Sequence, residues 1–164
     1  MVIKKLKIVL SIQNLSINSS KNSIVKNISF NLAGGEITAI VGGSGAGKSI
    51  SALAIAGLLT KNFSVTGKII FNQKNLLDLS EDQLCKIRGK KIGMIFQDPL
   101  TALNPLHKIG KQIAEAIAIH NPKYNKEQIK NRVLELLAMV ELSDFANRLD
   151  AYAHQISGGQ KQRI

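Results

Sequence analysis

Residues 42–49 combine four glycines, a lysine and a serine at a spacing that suits phosphate binding. The segment fits the pattern G-x-x-x-x-G-K-[ST] without a mismatch. Its glycines permit positive φ angles, so successive N–H groups can converge on phosphate oxygens at the start of a helix. In this pattern the lysine reaches the β and γ phosphates and the serine hydroxyl binds Mg²⁺. The candidate nucleotide-binding residues are Gly42, Gly43, Ser44, Gly45, Ala46, Gly47, Lys48 and Ser49.

Two elements must flank such a loop for it to work. Residues 37–41 are short, β-branched and almost continuously apolar, which predicts a strand covered on both faces. Residues 50–59 have a helical pattern. The order strand, glycine loop, helix is the context that the motif needs, and the segment therefore predicts binding of a nucleoside triphosphate.

Two further segments could contribute to a phosphate site. Gln97 follows a second apolar run, residues 92–96, which also predicts a buried strand; the carboxyl end of such a strand is where α/β sheets place ligands. Ser157 is a predicted helix N-cap, followed by Gly158, Gly159 and Gln160. The two glycines would leave backbone amides uncovered, which predicts a second anion-binding helix start.

The surrounding sequence alternates strand and helix signals, which indicates an α/β architecture. Residues 8–17 and 24–32 alternate apolar with polar side chains, as paired antiparallel strands do, and turn-forming residues separate them. Residues 68–71 predict another strand, and Ser80 begins a short helix with a capping box. Residues 98–156 are predominantly helical in pattern, with a second helix that starts at Asn125 and a third expected near Ser143. Ile109, Ile113 and Ile117 line one apolar face, and a second face is lined by Ile129, Val133, Leu136, Leu137 and Val140.

Composition limits the classes of protein that the chain can belong to. With 164 residues, 45% hydrophobic and 20% charged, it predicts one globular domain or two small lobes rather than a disordered or collagen-like chain. The single cysteine, Cys85, cannot form an internal disulfide, and we expect it to be buried or half-buried. The formal net charge of +11 is scattered and lacks interleaved aromatic residues, so we expect a solvated basic surface and no nucleic-acid partner.

The motifs together resemble the ATP-binding subunits of ABC transporters. The resemblance runs from about Ile8 to the last residue: residues 42–49 match the Walker A loop, Gln97 matches the Q-loop glutamine, and residues 156–160 match the LSGGQ signature with Ile in place of Leu. Residues 96–107, together with His154 and Gln155, are similar to the peptide and nickel importer branch.

The resemblance implies a fold and a domain order. The expected fold is a P-loop core of the ABC type with an antiparallel β subdomain and an inserted helical subdomain, in which the carboxyl-terminal half of the core is missing. Residues 1–97 would form the β subdomain and the Walker A part of the core, residues 98–156 the helical subdomain, and residues 157–164 the signature and the start of its helix.

The resemblance also implies a mechanism and partners. Two subunits would sandwich two ATP molecules, each held by Lys48 and Ser49 of one subunit and by Ser157, Gly158, Gly159 and Gln160 of the other. Gln97 would approach the Mg²⁺ ion, which Ser49 ligates, and the attacking water. The helical subdomain would contact a transmembrane permease, driving uptake of oligopeptides, dipeptides or nickel. No segment has the roughly twenty apolar residues of a membrane span, so we expect a cytoplasmic protein, peripheral on the inner face of the membrane.

Two departures from the family pattern qualify these expectations. Ser19 falls where the family places an aromatic residue on adenine, and no aromatic lies near it in the sequence, which predicts weaker or less base-selective binding. The Walker B Asp, the catalytic Glu and the switch His have no counterpart, so we expect a fragment that binds nucleotide poorly and hydrolyses it hardly at all.

Two alternative functions are a non-catalytic binding module and a DNA-repair type of ABC ATPase. Heptad-rich arms are typical of the DNA-repair type, and they do not occur between Gln97 and Ser157.

Overall fold

The computed structural model describes residues 7–97 and 102–164. The chain divides between Arg88 and Gly89 into two compact units. The sequence places its first boundary later, after Gln97. Because residues 89–97 associate with the helices that follow them, they belong to the second unit.

The first unit is built on a four-stranded antiparallel sheet whose order is β2-β1-β3-β4. The hairpin predicted from residues 8–17 and 24–32 is confirmed, because β1 and β2 pair along their length. Strand β3 is longer than its predicted part, residues 68–71. The strands are β1 (Ile8–Ser19), β2 (Ser23–Ala33), β3 (Phe63–Phe71) and β4 (Lys74–Asn75).

One face of this sheet forms the core of the first unit. Ile12, Leu15 and Ile17 on β1 and Ile69 on β3 are fully buried. Their alternation with exposed polar residues is the pattern that the sequence shows, and a bulge at residues 13–14 keeps Leu15 on the buried face.

The first unit also contains two α-helices, one between β2 and β3 and one after β4. Helix α1 spans Lys48–Ile55 and directly follows the glycine loop. Helix α2 spans Glu81–Cys85 and begins with the predicted capping box, in which the Ser80 amide donates to Gln83 Oε1 at 3.0 Å. A short 3₁₀ helix, Leu76–Asp78, precedes α2. Cys85 is exposed, so the prediction of a buried thiol is wrong: it lies at the end of a helix with no buried residue.

The two predicted central strands are absent from the described structure. Residues 37–41 and 93–96 have no strand pairing, and Ile92 forms only an isolated bridge. Ile37 and Ile95 are 100% and 99% exposed. Both predictions of a buried strand are therefore wrong for this chain. A strand needs a neighbour to accept its hydrogen bonds, and in the part of the chain that the structure covers neither segment has one.

The second unit is helical. Its helices are α3 (Ile109–His120), α4 (Lys126–Met139) and α5 (Gly158–Arg163), with 3₁₀ helices at Ser143–Arg148 and Ala153–Gln155. The predicted start of α4 at Asn125 is confirmed, since Asn125 Oδ1 accepts the Gln128 amide at 2.9 Å. The third predicted α-helix, near Ser143, is a six-residue 3₁₀ segment instead.

A single apolar cluster holds the helices of the second unit together. Ile109 and Ile117 of α3 meet Val133 and Leu137 of α4, and Phe145 closes the cluster from the 3₁₀ segment. This cluster confirms the two apolar stripes that the sequence predicts. Among the described helices, none is long and apolar enough to cross a membrane.

Candidate functional site

The glycine loop at residues 42–49 lies against strand β2. Gly45 and Gly47 adopt φ angles of 78° and 85°, a region that L side chains rarely occupy. A Cβ atom on Gly47 would stand 2.7 Å from Val25 Cγ2 and 3.3 Å from the carbonyl oxygen of Ile24. Gly47 therefore allows both the turn into α1 and the close approach of the loop to the sheet.

Lys48 is the first residue of α1 and its ammonium turns back over the loop. Its Nζ atom donates to the carbonyl oxygens of Gly42 at 2.8 Å and Gly43 at 2.6 Å. The side chain is thus held across the concave loop rather than extended into solvent. A phosphate oxygen could take the place of either carbonyl, because an ammonium group has three donors and prefers a charged acceptor.

The amino terminus of α1 presents backbone donors beside Lys48. The amide of Ser51 closes the first turn on the Gly47 carbonyl oxygen at 2.8 Å, so the amides that precede it lie at the open end of the helix. A glycine cap supplies no side-chain acceptor for them. These donors and the positive end of the helix dipole favour an anion at this position.

The Ser49 hydroxyl is the oxygen ligand that this loop offers to a cation. Ser49 is exposed on the first turn of α1, next to the helix end. A hydroxyl oxygen suits Mg²⁺ when phosphate oxygens and waters complete the octahedron. No cluster of three or more His, Cys, Asp or Glu side chains that could hold a metal occurs within residues 7–97 and 102–164.

The signature segment forms a capped helix start in the second unit. Ser157 Oγ accepts the Gln160 amide at 3.2 Å, and Gln160 Oε1 accepts the Ser157 amide at 3.1 Å. A Cβ atom on Gly158 or Gly159 would meet nothing within 4 Å. The two glycines therefore leave an open surface at the beginning of α5, between the paired side chains of Ser157 and Gln160.

Gln97 lies at an exposed bend in the second unit. Residues 98–101, which belong to the stretch that carries the importer-branch resemblance, lie outside the described residues. Within the first unit the structure brings Lys48, Ser49 and the loop glycines together. Gln97 and residues 157–160 belong to the other unit.

A comparison with protein-family models decides the family. The model described as ABC transporter matches residues 25–164, which is most of the chain. The chain belongs to the ABC transporter family. The resemblance inferred from the Walker A, Q-loop and signature motifs is thereby confirmed.

Curated relatives of this ABC transporter chain are named as peptide transport proteins. It is 46% identical over 138 residues to a probable peptide ABC transporter ATP-binding protein, y4tR, of Sinorhizobium fredii, covering 83% of this chain and 41% of the relative. It is 43% identical over 160 residues to the dipeptide transport ATP-binding protein DppD of Lactococcus lactis, covering 94% and 46%. The chain thus spans less than half the length of these relatives.

Solved structures show the same fold. The dimeric structure of MJ0796, described as a bacterial ABC transporter cassette, superimposes with a TM-score of 0.79 and 29% identity, covering 94% of this chain and 66% of that one. The cbiO1 protein of Clostridium perfringens, part of the cbiONQ ABC transporter complex, gives a TM-score of 0.74 at 29% identity, covering 96% and 59%. The predicted ABC-type fold, with its antiparallel β subdomain, is therefore confirmed for this part of a cassette.

The structure places an aromatic residue beside Ser19 that the sequence does not predict there. Phe63 is the direct partner of Ser19 in the β1–β3 pairing, although 43 residues separate the two in the chain. The missed signal is the alternation of Phe63, Val65 and Ile69 along β3, because the strand was predicted to begin only at residue 68.

Proposed function

We propose that residues 42–49 bind ATP together with Mg²⁺. The observation that carries this proposal is the position of Lys48 Nζ, held within 2.8 Å of two loop carbonyl oxygens beside the open amino terminus of α1. The loop amides would surround the phosphates, Lys48 would bind the β and γ phosphates, and the Ser49 hydroxyl would ligate the cation. Bound Mg²⁺ would neutralise phosphate charge. Gln97 is the residue proposed to reach the metal and the attacking water.

The second half of the nucleotide site would come from another subunit. Ser157, Gly158, Gly159 and Gln160 would meet the nucleotide held by the partner's loop. The open surface over the two glycines supports this, because nothing stands within 4 Å of a Cβ atom there. The dimeric state of the MJ0796 cassette supports it as well. Because each nucleotide would contact both chains, ATP binding would favour the closed dimer.

We propose ATP-driven import of oligopeptides or dipeptides as the activity of the transporter to which this chain contributes. The names of the relatives support a peptide substrate rather than nickel. The helical unit would contact a transmembrane permease, and the subunit would lie on the cytoplasmic face of the membrane.

Titration of the chain with Mg·ATP, measured by calorimetry, tests the nucleotide site. Lys48→Ala removes the ammonium that spans the loop, and we expect its affinity for Mg·ATP to fall at least tenfold. Lys61→Ala is the matched control, since Lys61 is an exposed lysine in the same unit outside the loop. Equal affinities of the wild type and Lys48→Ala would refute the proposed site.

A further inference from the structure

Phe63 places an aromatic ring beside Ser19 on the sheet of the first unit. The two residues are direct partners in the antiparallel pairing of β1 and β3, and the register is regular over the three pairs Ile17–Val65, Asn18–Ser64 and Ser19–Phe63. Side chains of directly opposed residues share one face of the sheet, with Cβ atoms about 5 Å apart. The ring of Phe63 and the hydroxyl of Ser19 are therefore neighbours on one face.

One residue on that face, Val25, contacts the glycine loop. Val25 of β2 contacts Gly47, since a Cβ atom there would stand 2.7 Å from Val25 Cγ2. Val25 is opposite Ile17, and Ile17 is opposite Val65. Because side chains repeat their face every second residue, Phe63 shares the face of Val65 and hence that of Val25.

The separation of Phe63 from the loop contact suits an extended nucleotide. Two strand spacings separate Val25 from Val65, and two residues along β3 separate Val65 from Phe63. With about 4.8 Å between strands and about 3.4 Å per residue, Phe63 lies roughly 12 Å from Val25 across the sheet. A ribose and a phosphate chain can bridge a gap of this size between a base at Phe63 and phosphates at the loop.

Phe63 is only partly buried. The Ser19 side chain is small and is used within the hairpin turn, where its Oγ accepts the Asn22 amide at 3.0 Å and donates to the Asn22 carbonyl oxygen at 3.1 Å. A flat ligand over Ser19 would therefore meet only a small side chain at this position.

We propose that Phe63 is the surface on which the base of a bound nucleotide stacks. The inference rests on the proposed nucleotide site, because the loop must hold the phosphates. Stacking on an aromatic ring is insensitive to base identity, since every base has a π face, but it distinguishes a nucleotide from a bare triphosphate. Binding by this chain should thus depend on the base despite the serine at position 19.

The test measures the affinities of Mg·ATP and of magnesium tripolyphosphate, which has no base, for four forms of the chain. These are the wild type, Phe63→Leu, Phe63→Tyr and Phe71→Leu. Phe71 is the control because it is a partly buried phenylalanine at the other end of the same strand. We expect the wild type to bind Mg·ATP more tightly than tripolyphosphate, and Phe63→Leu to lose about 5- to 100-fold in Mg·ATP affinity alone. Phe63→Tyr and Phe71→Leu should keep the preference.

Each contrary outcome has a distinct meaning. If Phe63→Leu keeps the wild-type ratio of the two affinities, whether both are retained or both fall together, the ring only supports the fold and the inference is overturned. A wild type that binds both ligands equally overturns it as well. A wild type that binds neither ligand overturns the nucleotide site proposed above, and this inference with it.

Discussion

The Arg88 guanidinium caps the carboxyl end of the helix that begins with Lys48. Arg88 Nε donates to the carbonyl oxygen of Ala56 at 2.8 Å, and Nη2 donates to that of Gly57. The carbonyl groups at a helix carboxyl end lack intrahelical partners and carry the negative end of the helix dipole, so a cation is favourable there. The same guanidinium pairs with Glu81 on α2. Arg88 therefore connects the two helices of the first unit.

Removal of this guanidinium should destabilise the first unit. Arg88 is 21% exposed, so Arg88→Met keeps most of the packing volume but leaves two carbonyl oxygens without their donor. We expect a loss of about 1 to 3 kcal/mol in the free energy of unfolding in urea. Arg132→Met is the control, because the Arg132–Glu135 pair is exposed and should contribute at most about 1 kcal/mol. Equal losses in the two variants would contradict the capping role.

The Glu81–Arg88 pair should make stability depend on pH in the acidic range. The hydrogen bond from Arg88 holds the pKa of Glu81 below its ordinary value of 4.5. A carboxyl group with a lowered folded-state pKa adds stability above its unfolded-state pKa and loses it as the pH falls through the folded-state pKa. The stability difference between the wild type and Glu81→Gln should thus be constant above pH 4.5 and shrink below it. Thermal melts from neutral to acidic pH measure this, and a difference that grows with acidification would contradict it.

Gly47→Ala should disturb the loop and its contact with β2. The substitution introduces a side chain at a φ of 85° and 2.7 Å from Val25 Cγ2. We expect a loss of about 2 kcal/mol or more in stability and a weaker affinity for Mg·ATP. Gly43→Ala is the matched control for stability, since a Cβ atom there meets nothing within 4 Å.

A double variant separates the steric contact with Val25 from the backbone strain at Gly47. Combining Gly47→Ala with Val25→Ala removes the contacting methyl group but leaves the backbone strain. If the steric contact with Val25 matters, the two substitutions should be less than additive in urea unfolding. Strict additivity would show that the contact with Val25 does not contribute to the loss.

The Ser157 side chain should stabilise the first turn of α5, at the signature segment. Its Oγ atom accepts the Gln160 amide, so Ser157→Ala removes the acceptor and should cost about 1 kcal/mol of local helix stability. Hydrogen exchange of the Gln160 amide, followed by NMR, should accelerate about fivefold. Ser157→Asn keeps a capping acceptor and should exchange at close to the wild-type rate. An unchanged rate in Ser157→Ala would mean that the capping bond does not protect this amide.

Local patterns predict several parts of the structure because their causes lie within a few residues. The alternation of β1, the helix starts at Ser80, Asn125 and Ser157, and the apolar stripes of α3 and α4 are each confirmed. The predictions that fail depend on partners elsewhere. Residues 37–41 and 92–96 have the composition of buried strands, but the described structure gives them no neighbouring strand.

The amino-acid sequence alone determined the family, through a glycine loop and a signature segment whose chemistry depends on residue type and spacing. The pairing of Phe63 with Ser19 across β1 and β3, and the hydrogen bond from Arg88 to Ala56, were decided only by the tertiary structure. The physical reason is that such pairs depend on strand register and on which surfaces pack together. Strand register and surface packing depend on the whole unit, so no local pattern in the sequence predicts them.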